Sequence, residues 1–248
     1  MMKKIITLVL ALAMAVSLFT GCGKKKTSKL EKDDISSGTV VMMVGDYQVR
    51  YSEVMAYCYF LKCQYEDSFG KELWNYKLSE NETIGDQAKQ EIVNMITQLK
   101  VISGVAQEQE VSLSADEQDE ALRQAESLVQ NATAADKKTY SLSVQKISEI
   151  YQENFLAEKM FYVATDDADT NVSDEEARQA ILDKKAKTAS GAAIGTEEDE
   201  TAITQDMISQ QKEVIIQQRQ SDMFVKKYNQ WLQDKKVDIN QSFWNDFS

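Results

Sequence analysis

Val40-Val-Met-Met-Val-Gly-Asp-Tyr-Gln-Val-Arg-Tyr-Ser-Glu53 is the stretch on which the fold turns. Thr39 to Val44 is a short β-prone run, Gly45-Asp46 supplies a turn, and Tyr47 to Arg50 returns as a second strand. Ser52 is a good N-cap, so a helix is expected to follow at once and run to about Phe69, with Gly70 suited to its C-terminal end. Nine of the chain's 21 aromatic residues fall between Tyr47 and Tyr76. On a helical wheel Val54, Cys58, Leu61 and Tyr65 form one stripe, and Met55, Tyr59 and Phe60 fall off it. A helix apolar on more than one side is either sandwiched or offers a binding surface. On the second reading Met55, Tyr59 and Phe60 are the contact residues.

Outward from this helix the chain reads as more helices. Ile92, Met95, Ile96, Leu99, Ile102 and Ala106 recur every three or four residues, which predicts a helix over about 84–109. Ser114-Ala-Asp-Glu117 is a capping-box pattern for a third helix through Leu128. Thr133-Ala-Ala-Asp136 suits a short helical turn, and Ser143 caps a fourth long helix with Val144, Ile147, Tyr151, Met160 and Val163 on its apolar side. A short helix over 174–187, capped by Ser173, precedes an acidic, small-residue stretch that ends near Glu200 and reads as a linker. A last long helix is expected over about 203–235, and Val237-Asp-Ile239 as a short strand.

Composition narrows the chemistry. The 248 residues include no histidine and no proline, nine glycines and three cysteines. Without histidine there is no Ser-His-Asp or Cys-His nucleophile and no histidine metal site. Absent proline and scarce glycine argue against an all-β fold, which needs many tight turns. The net charge of −12 makes nucleic acid an unsuitable partner, because phosphate neutralisation requires clustered Lys and Arg. A mean hydropathy of −0.44 does not fit a polytopic membrane protein.

At the N-terminus Met1-Met2-Lys3-Lys4 is a positive start, followed by an apolar run from Ile5 to Phe19. About 15 residues is short for a transmembrane helix, which needs about 20. The run ends in Phe19-Thr20-Gly21-Cys22, which resembles a bacterial lipobox, with Phe19 in place of the usual aliphatic residue. Residues 1–21 are therefore expected to be a signal peptide and Cys22 the lipidated first residue of the mature chain, on the extracytoplasmic face of the cell membrane. Cleavage there removes Lys3 and Lys4 and takes the net charge from −12 to −14. Residues 22–38 form a tether rich in lysine, and residues 39–248 the folded body.

Cys58 and Cys63 point about 140° apart on a helix at 100° per residue, so they cannot form a disulfide without unwinding it. Cys58 reads as a small buried hydrophobe. Asp167-x-Asp169-x-Asn171 imitates the start of an EF-hand loop, but Val172 and Arg178 stand where glycine and the bidentate glutamate belong. The acidic pairs Asp33-Asp34, Asp166-Asp167 and Glu197-Glu198 read as solvated surface, with nothing to raise a pKa for acid–base work. No glycine-rich phosphate loop or CxxC site is present, and no metal or cofactor is expected.

The strand–turn–strand run from Val40 to Glu53 resembles the start of the SurA/PrsA foldase family, in which a small strand pair leads into the first helix of a chaperone domain. The resemblance continues through Gln98-Leu-Lys-Val-Ile102, Val111-Ser-Leu-Ser-Ala-Asp-Glu117, and the final helix with Trp231, Val237-Asp-Ile239 and Trp244. It implies a mainly α fold: a multi-helix chaperone domain with a small N-terminal strand pair and a long C-terminal helix packing back. On this reading the N-terminal helices occupy 39–165, a short insert 166–202, and the returning helix and tail 203–248. Family members commonly insert a histidine-bearing parvulin prolyl isomerase domain before the last helix. Here 37 residues stand in that place, against at least about 50 for a domain.

The resemblance implies a membrane-tethered chaperone that binds unfolded or secreted polypeptides without ATP, not an enzyme, and with no small-molecule substrate. A structural adaptor for one envelope protein is the rival, distinguished by breadth of binding. A prolyl isomerase is the third reading, kept because the family carries that activity.

Overall fold

A computed structural model of the chain describes residues 36–188, 203–240 and 243–244. The expected signal peptide, Cys22, Asp33-Asp34 and the acidic stretch 189–202 lie outside the described residues. The hairpin forms where the sequence places it. Strand β1 (Val40–Val44) pairs antiparallel with β2 (Tyr47–Arg50), Met42 opposite Val49 and Val44 opposite Tyr47, with an irregularity between Val40 and Met42. Gly45 turns the corner at φ 55°, a left-handed conformation that glycine adopts without a Cβ penalty. A hairpin alone is marginal in water, and here it gains a third strand from the far end of the chain. β5 (Val237–Ile239) runs antiparallel on the other side of β1, Met42 opposite Ile239, giving the order β2-β1-β5. Val41, Met42, Val44 and Val49 are thereby almost wholly buried.

Helix α1 (Tyr51–Phe69) follows β2 directly. Arg50, not Ser52, occupies the N-cap, and no side chain caps the helix. The orphan amides of the first turn find backbone partners instead. The Tyr51 N–H donates to the Thr39 carbonyl at 2.8 Å and the Ser52 N–H to the Ser37 carbonyl at 3.1 Å. The segment entering β1 therefore does what a Ser52 hydroxyl was expected to do. At the other end Gly70, at φ 76°, returns its N–H to the Glu66 carbonyl as expected.

Between α1 and the next helix the chain makes an excursion absent from the sequence reading. It holds a 3-10 turn (Lys71–Asn75) and a second hairpin, β3 (Lys77–Ser79) with β4 (Glu82–Thr83). Thr83 then opens α2 (Ile84–Glu108) with a reciprocal capping box to Asp86. A Cβ on Gly85 would come within 2.9 Å of the Trp74 carbonyl oxygen, so the helix start and the 3-10 turn approach as closely as glycine alone permits. From Ile92 to Ala106 α2 is buried on nearly every side, its polar Thr97, Gln98 and Lys100 included. It is the central helix of this part of the chain.

The remaining helices carry the caps read from sequence. Ser114 and Glu117 form the box that starts α3 (Ala115–Asn131), and Thr133 caps the short α4 (Ala134–Thr139). The Ser143 hydroxyl accepts from the Lys146 amide at the start of α5 (Val144–Ala164). Helix α6 (Asp174–Thr188) and the long α7 (Gln205–Gln233) complete the mainly helical chain.

The chain divides into two compact units, Met1–Met160 with Asn229–Ser248, and Phe161–Tyr228. The sequence suggested one interleaved domain with an insert at 166–202, whereas the second unit begins inside α5 and takes in most of α7. It has its own core. Ala177, Ile181, Ile203 and Ile208 are buried together, with Leu182, Met207 and Ile215 packed against them, and Phe161 lies 5.3 Å from Phe224 between ring centroids. In the first unit the returning tail brings β5 to β1 and sets Phe243 edge-on to Tyr51 at 5.8 Å.

Candidate functional site

The aromatic face of α1 is packed, not offered. Met55 and Tyr59 are buried and Phe60 is half-buried. Tyr59 lies 5.4 Å from the Tyr140 ring, and Phe60 sits against Tyr57 at 6.0 Å and Tyr151 at 5.9 Å. Lys62 pairs with Asp136 of α4 and lies 5.8 and 5.7 Å from the Tyr59 and Tyr140 ring centroids. The helix is apolar on more than one side because α2 covers one side while α4 and α5 cover another. Met55 and Tyr59 are thus core side chains and Phe60 is partly covered, so of the two readings of this helix the packing favours the sandwiched one. Cys58 is half-buried, its thiol pushed up to about 12 by burial, while Cys63 is exposed, and neither is in a disulfide.

Beneath this face lies a buried ionic triad. The Lys100 Nζ of α2 is 2.7 Å from Glu53 of α1 and 2.5 Å from Glu153 of α5. Glu53 and Lys100 are 4 and 7 % exposed, so one cation and two carboxylates pin three helices together in low dielectric. Burial opposes the Lys100 charge, but the two carboxylates outweigh it and hold the ammonium above the usual lysine value. Burial pushes the Glu153 carboxyl up; Lys100 pulls it back and Glu53 pushes it further up. Tyr57, fully enclosed beside both carboxylates, is held well above the usual tyrosine value, first by burial and then by their charges. A signal for this cluster exists in the sequence. Lys100 interrupts an otherwise apolar helix between Leu99 and Val101, where a lone lysine requires an acidic partner.

The large apolar side chains that the described residues of the first unit expose lie mostly at the end of α1 and just beyond it. Phe69, the last residue of α1, is 66 % exposed, and Tyr76 and Leu78 of the excursion 65 and 45 %, while Leu122 of α3 is 41 % exposed. Its base is held firmly: Trp74 donates its indole N–H to Glu66 at 2.8 Å and meets Tyr65 edge-on at 6.2 Å, and Gly85 seats Trp74's carbonyl. Tyr76 and Leu78 therefore project from an anchored support, with Phe69 at the helix end that leads into it. Tyr76 immediately precedes β3 and Leu78 lies within it. The aromatic density between Tyr47 and Tyr76 pointed to this region; what the sequence could not show is that Tyr57 and Tyr59 are buried while Phe69 at the helix end and Tyr76 beyond it are exposed.

The calcium-like loop is occupied by protein. In the second unit Arg219 reaches the Asp169 carboxylate at 3.0 Å, the Asp169 and Asn171 carbonyls, and Glu176 at 2.7 Å. Lys227 takes Asp167 at 3.0 Å and holds that carboxyl below the usual range. Fixed cations fill the place a metal would take. Among the described residues no helix is long and apolar enough to cross a membrane.

A family model described as a SurA-like N-terminal domain matches residues 1–157, which spans the hairpin, α1 to α4 and most of α5. No curated protein and no solved structure gives a significant match.

Proposed function

The chain belongs to the SurA-like N-terminal domain family, a chaperone-type family, and from that membership we propose that it is a lipid-anchored, extracytoplasmic chaperone that holds unfolded or secreted polypeptides without ATP. The observation that carries the binding half is the anchored excursion with Phe69, Tyr76 and Leu78 exposed. Isolated apolar residues on a surface are unremarkable, but Tyr76 and Leu78 on a firmly based loop, with Phe69 at the helix end that leads into it, offer a surface to which an unfolded chain adds its own apolar groups. The large negative charge of the body keeps such a surface soluble. The anchoring half rests on the run from Ile5 to Cys22. Two acyl chains at Cys22 would bind durably, at about 0.8 kcal/mol for each buried CH₂, and put the excursion where exported chains emerge. Action by binding alone suits a chain without histidine.

The test is aggregation of several unrelated, thermally unfolding clients in the presence of the purified mature protein. Near-stoichiometric wild type is expected to delay aggregation of most of them. The triple variant Phe69→Ser, Tyr76→Ser, Leu78→Ser should lose most of that effect with an unchanged melting transition. Equal protection by the triple variant would remove the excursion from the binding surface. Protection of a single client only would turn the reading to an adaptor.

A further inference from the structure

The three-stranded sheet of the first unit ends at β5, and the outer edge of that strand is open. Antiparallel pairing turns the backbone groups of alternate residues toward opposite neighbours. Gly45 donates its N–H to the Lys236 carbonyl at 2.8 Å, and Asn240 donates to the Val41 carbonyl at 3.1 Å. Asp238 stands opposite Met43 between them. Lys236, Asp238 and Asn240 therefore bond toward β1, and the N–H and carbonyl groups of Val237 and Ile239 point away from it. Among the described residues, none of these outward groups has a partner. Natural edges are closed to foreign strands by proline, by bulges or by a covering segment; here the chain has no proline, and β5 keeps one register from Val237 to Ile239.

The side chains give a second, independent sign. Two apolar rows cross the covered face of the sheet, Tyr47–Val44–Val237 and Val49–Met42–Ile239. Val44, Met42 and Val49 are buried, whereas Val237 and Ile239 are only half-buried. Each row thus stops one strand short of full cover on the β5 side. On the other face Asp238 is exposed and pairs with Lys236, a contact open to water on both sides and therefore weak. These features discriminate between occupants. A second β5, antiparallel and using both outward residues, would set Asp238 directly opposite its own counterpart, and like charges so placed oppose pairing. Three residues also span only about 10 Å, far short of the roughly 1,200 Å² that a stable dimer buries. A foreign strand escapes the repulsion when the residue opposite Asp238 is basic, and a transient contact asks for no such area.

We propose that the β5 edge receives an extended client segment as a fourth, antiparallel strand, with a basic residue opposite Asp238 and apolar residues on either side of it. The flanking apolar side chains complete the rows that end at Val237 and Ile239, and their backbone groups meet the outward N–H and carbonyl groups of β5. Main-chain hydrogen bonds supply affinity without reading a client's sequence, and the alternation sets which segments are preferred. That the segment belongs to a client rests on the chaperone reading; the open edge does not.

The experiment follows amide exchange in the full mature protein with and without an unstructured decapeptide whose centre is valine-lysine-valine. In the free protein the Val237 and Ile239 amides should exchange faster than the Asp238 amide, which faces β1. Saturating peptide is expected to slow both by about tenfold or more. Methylating the backbone nitrogens of the two valines, which face β5, should abolish that protection; methylating the lysine nitrogen, which faces away, should leave it. A central glutamate in place of lysine should weaken binding severalfold, and Asp238→Asn should remove the difference. Val237 and Ile239 amides already protected in the free protein would overturn the proposal, because the chain itself or a second copy then fills the edge. Equal effects of the two methylation patterns would overturn it as well. The triple-serine excursion variant should keep the protection. Delayed aggregation of clients with no protection at Val237 and Ile239 would sink this inference and leave the chaperone reading standing, whereas protection without delayed aggregation would support the edge and count against that reading.

Discussion

Replacing Lys100 with methionine keeps the aliphatic stem and removes only the charge, which makes it the sharpest probe of the buried triad. In the wild type the ammonium touches a Glu53 oxygen at 2.7 Å and a Glu153 oxygen at 2.5 Å. Those two oxygens are therefore no more than about 5 Å apart, and two unit negative charges at that distance repel by about 3 kcal/mol at an effective dielectric of 20. Breaking a buried pair by removing one partner costs about 3–5 kcal/mol, and the two figures agree. At pH 7 Lys100→Met should lose that amount in urea denaturation followed by near-ultraviolet circular dichroism, a midpoint shift of about 1–2 M at unchanged slope. Lowering the pH toward 4.5 lets one carboxyl take a proton, so the penalty should shrink. Glu53→Gln, Lys100→Met, Glu153→Gln together replace the triad with neutral groups and should recover most of the loss, because a buried ion pair is seldom better than its neutral replacement. A loss under about 1 kcal/mol, or a triple variant no more stable than Lys100→Met, would refute the view that these charges are desolvated and mutually dependent.

Other expectations follow from single contacts. Burial raises the Glu153 carboxyl, so its contribution to stability is fully present below the unfolded carboxyl value and is lost as pH rises through the folded one; the urea midpoint of wild type minus that of Glu153→Gln should fall over that window, and a flat difference would contradict it. Gly85→Ala should destabilise the fold and loosen the excursion, since its Cβ would meet the Trp74 carbonyl at 2.9 Å; faster protease cleavage between Phe69 and Asn81 measures it. Ser114→Ala removes one half of a capping box and should cost about 0.5–2 kcal/mol in the same urea assay. Arg219→Ala frees Asp169, Asn171 and Glu176 at once, and amide exchange over 166–176 should accelerate. Cys22→Ala should leave the chain unlipidated in its host, read by intact mass; a mature N-terminus elsewhere in the wild type would refute the anchor.

Much of this architecture is local, and that part was legible in the residues alone. Ser114 with Glu117, Thr133 with Asp136, Ser143 at α5 and Gly70 after α1 decide helix ends through hydrogen bonds spanning three or four residues, so no distant segment is needed to read them. The β1–β2 hairpin is equally local, a turn at Gly45 between two apolar runs. Chain-distant contacts decided the rest. Ser52 lost its capping role to the carbonyls of Ser37 and Thr39, which arrive only when β1 folds beside α1. The pairing of β5 with β1, and the separate core around Ile181 and Ile208, depend on segments that meet after long loops close. Met55, Tyr59 and Phe60 are apolar whether or not α4 and α5 cover them, and periodicity reports an apolar face without naming its cover. The same limit holds for Lys100, which needs Glu53 and Glu153 from two other helices, and for Phe69, Tyr76 and Leu78, whose exposure depends on what the rest of the chain leaves uncovered, and no described residue covers them.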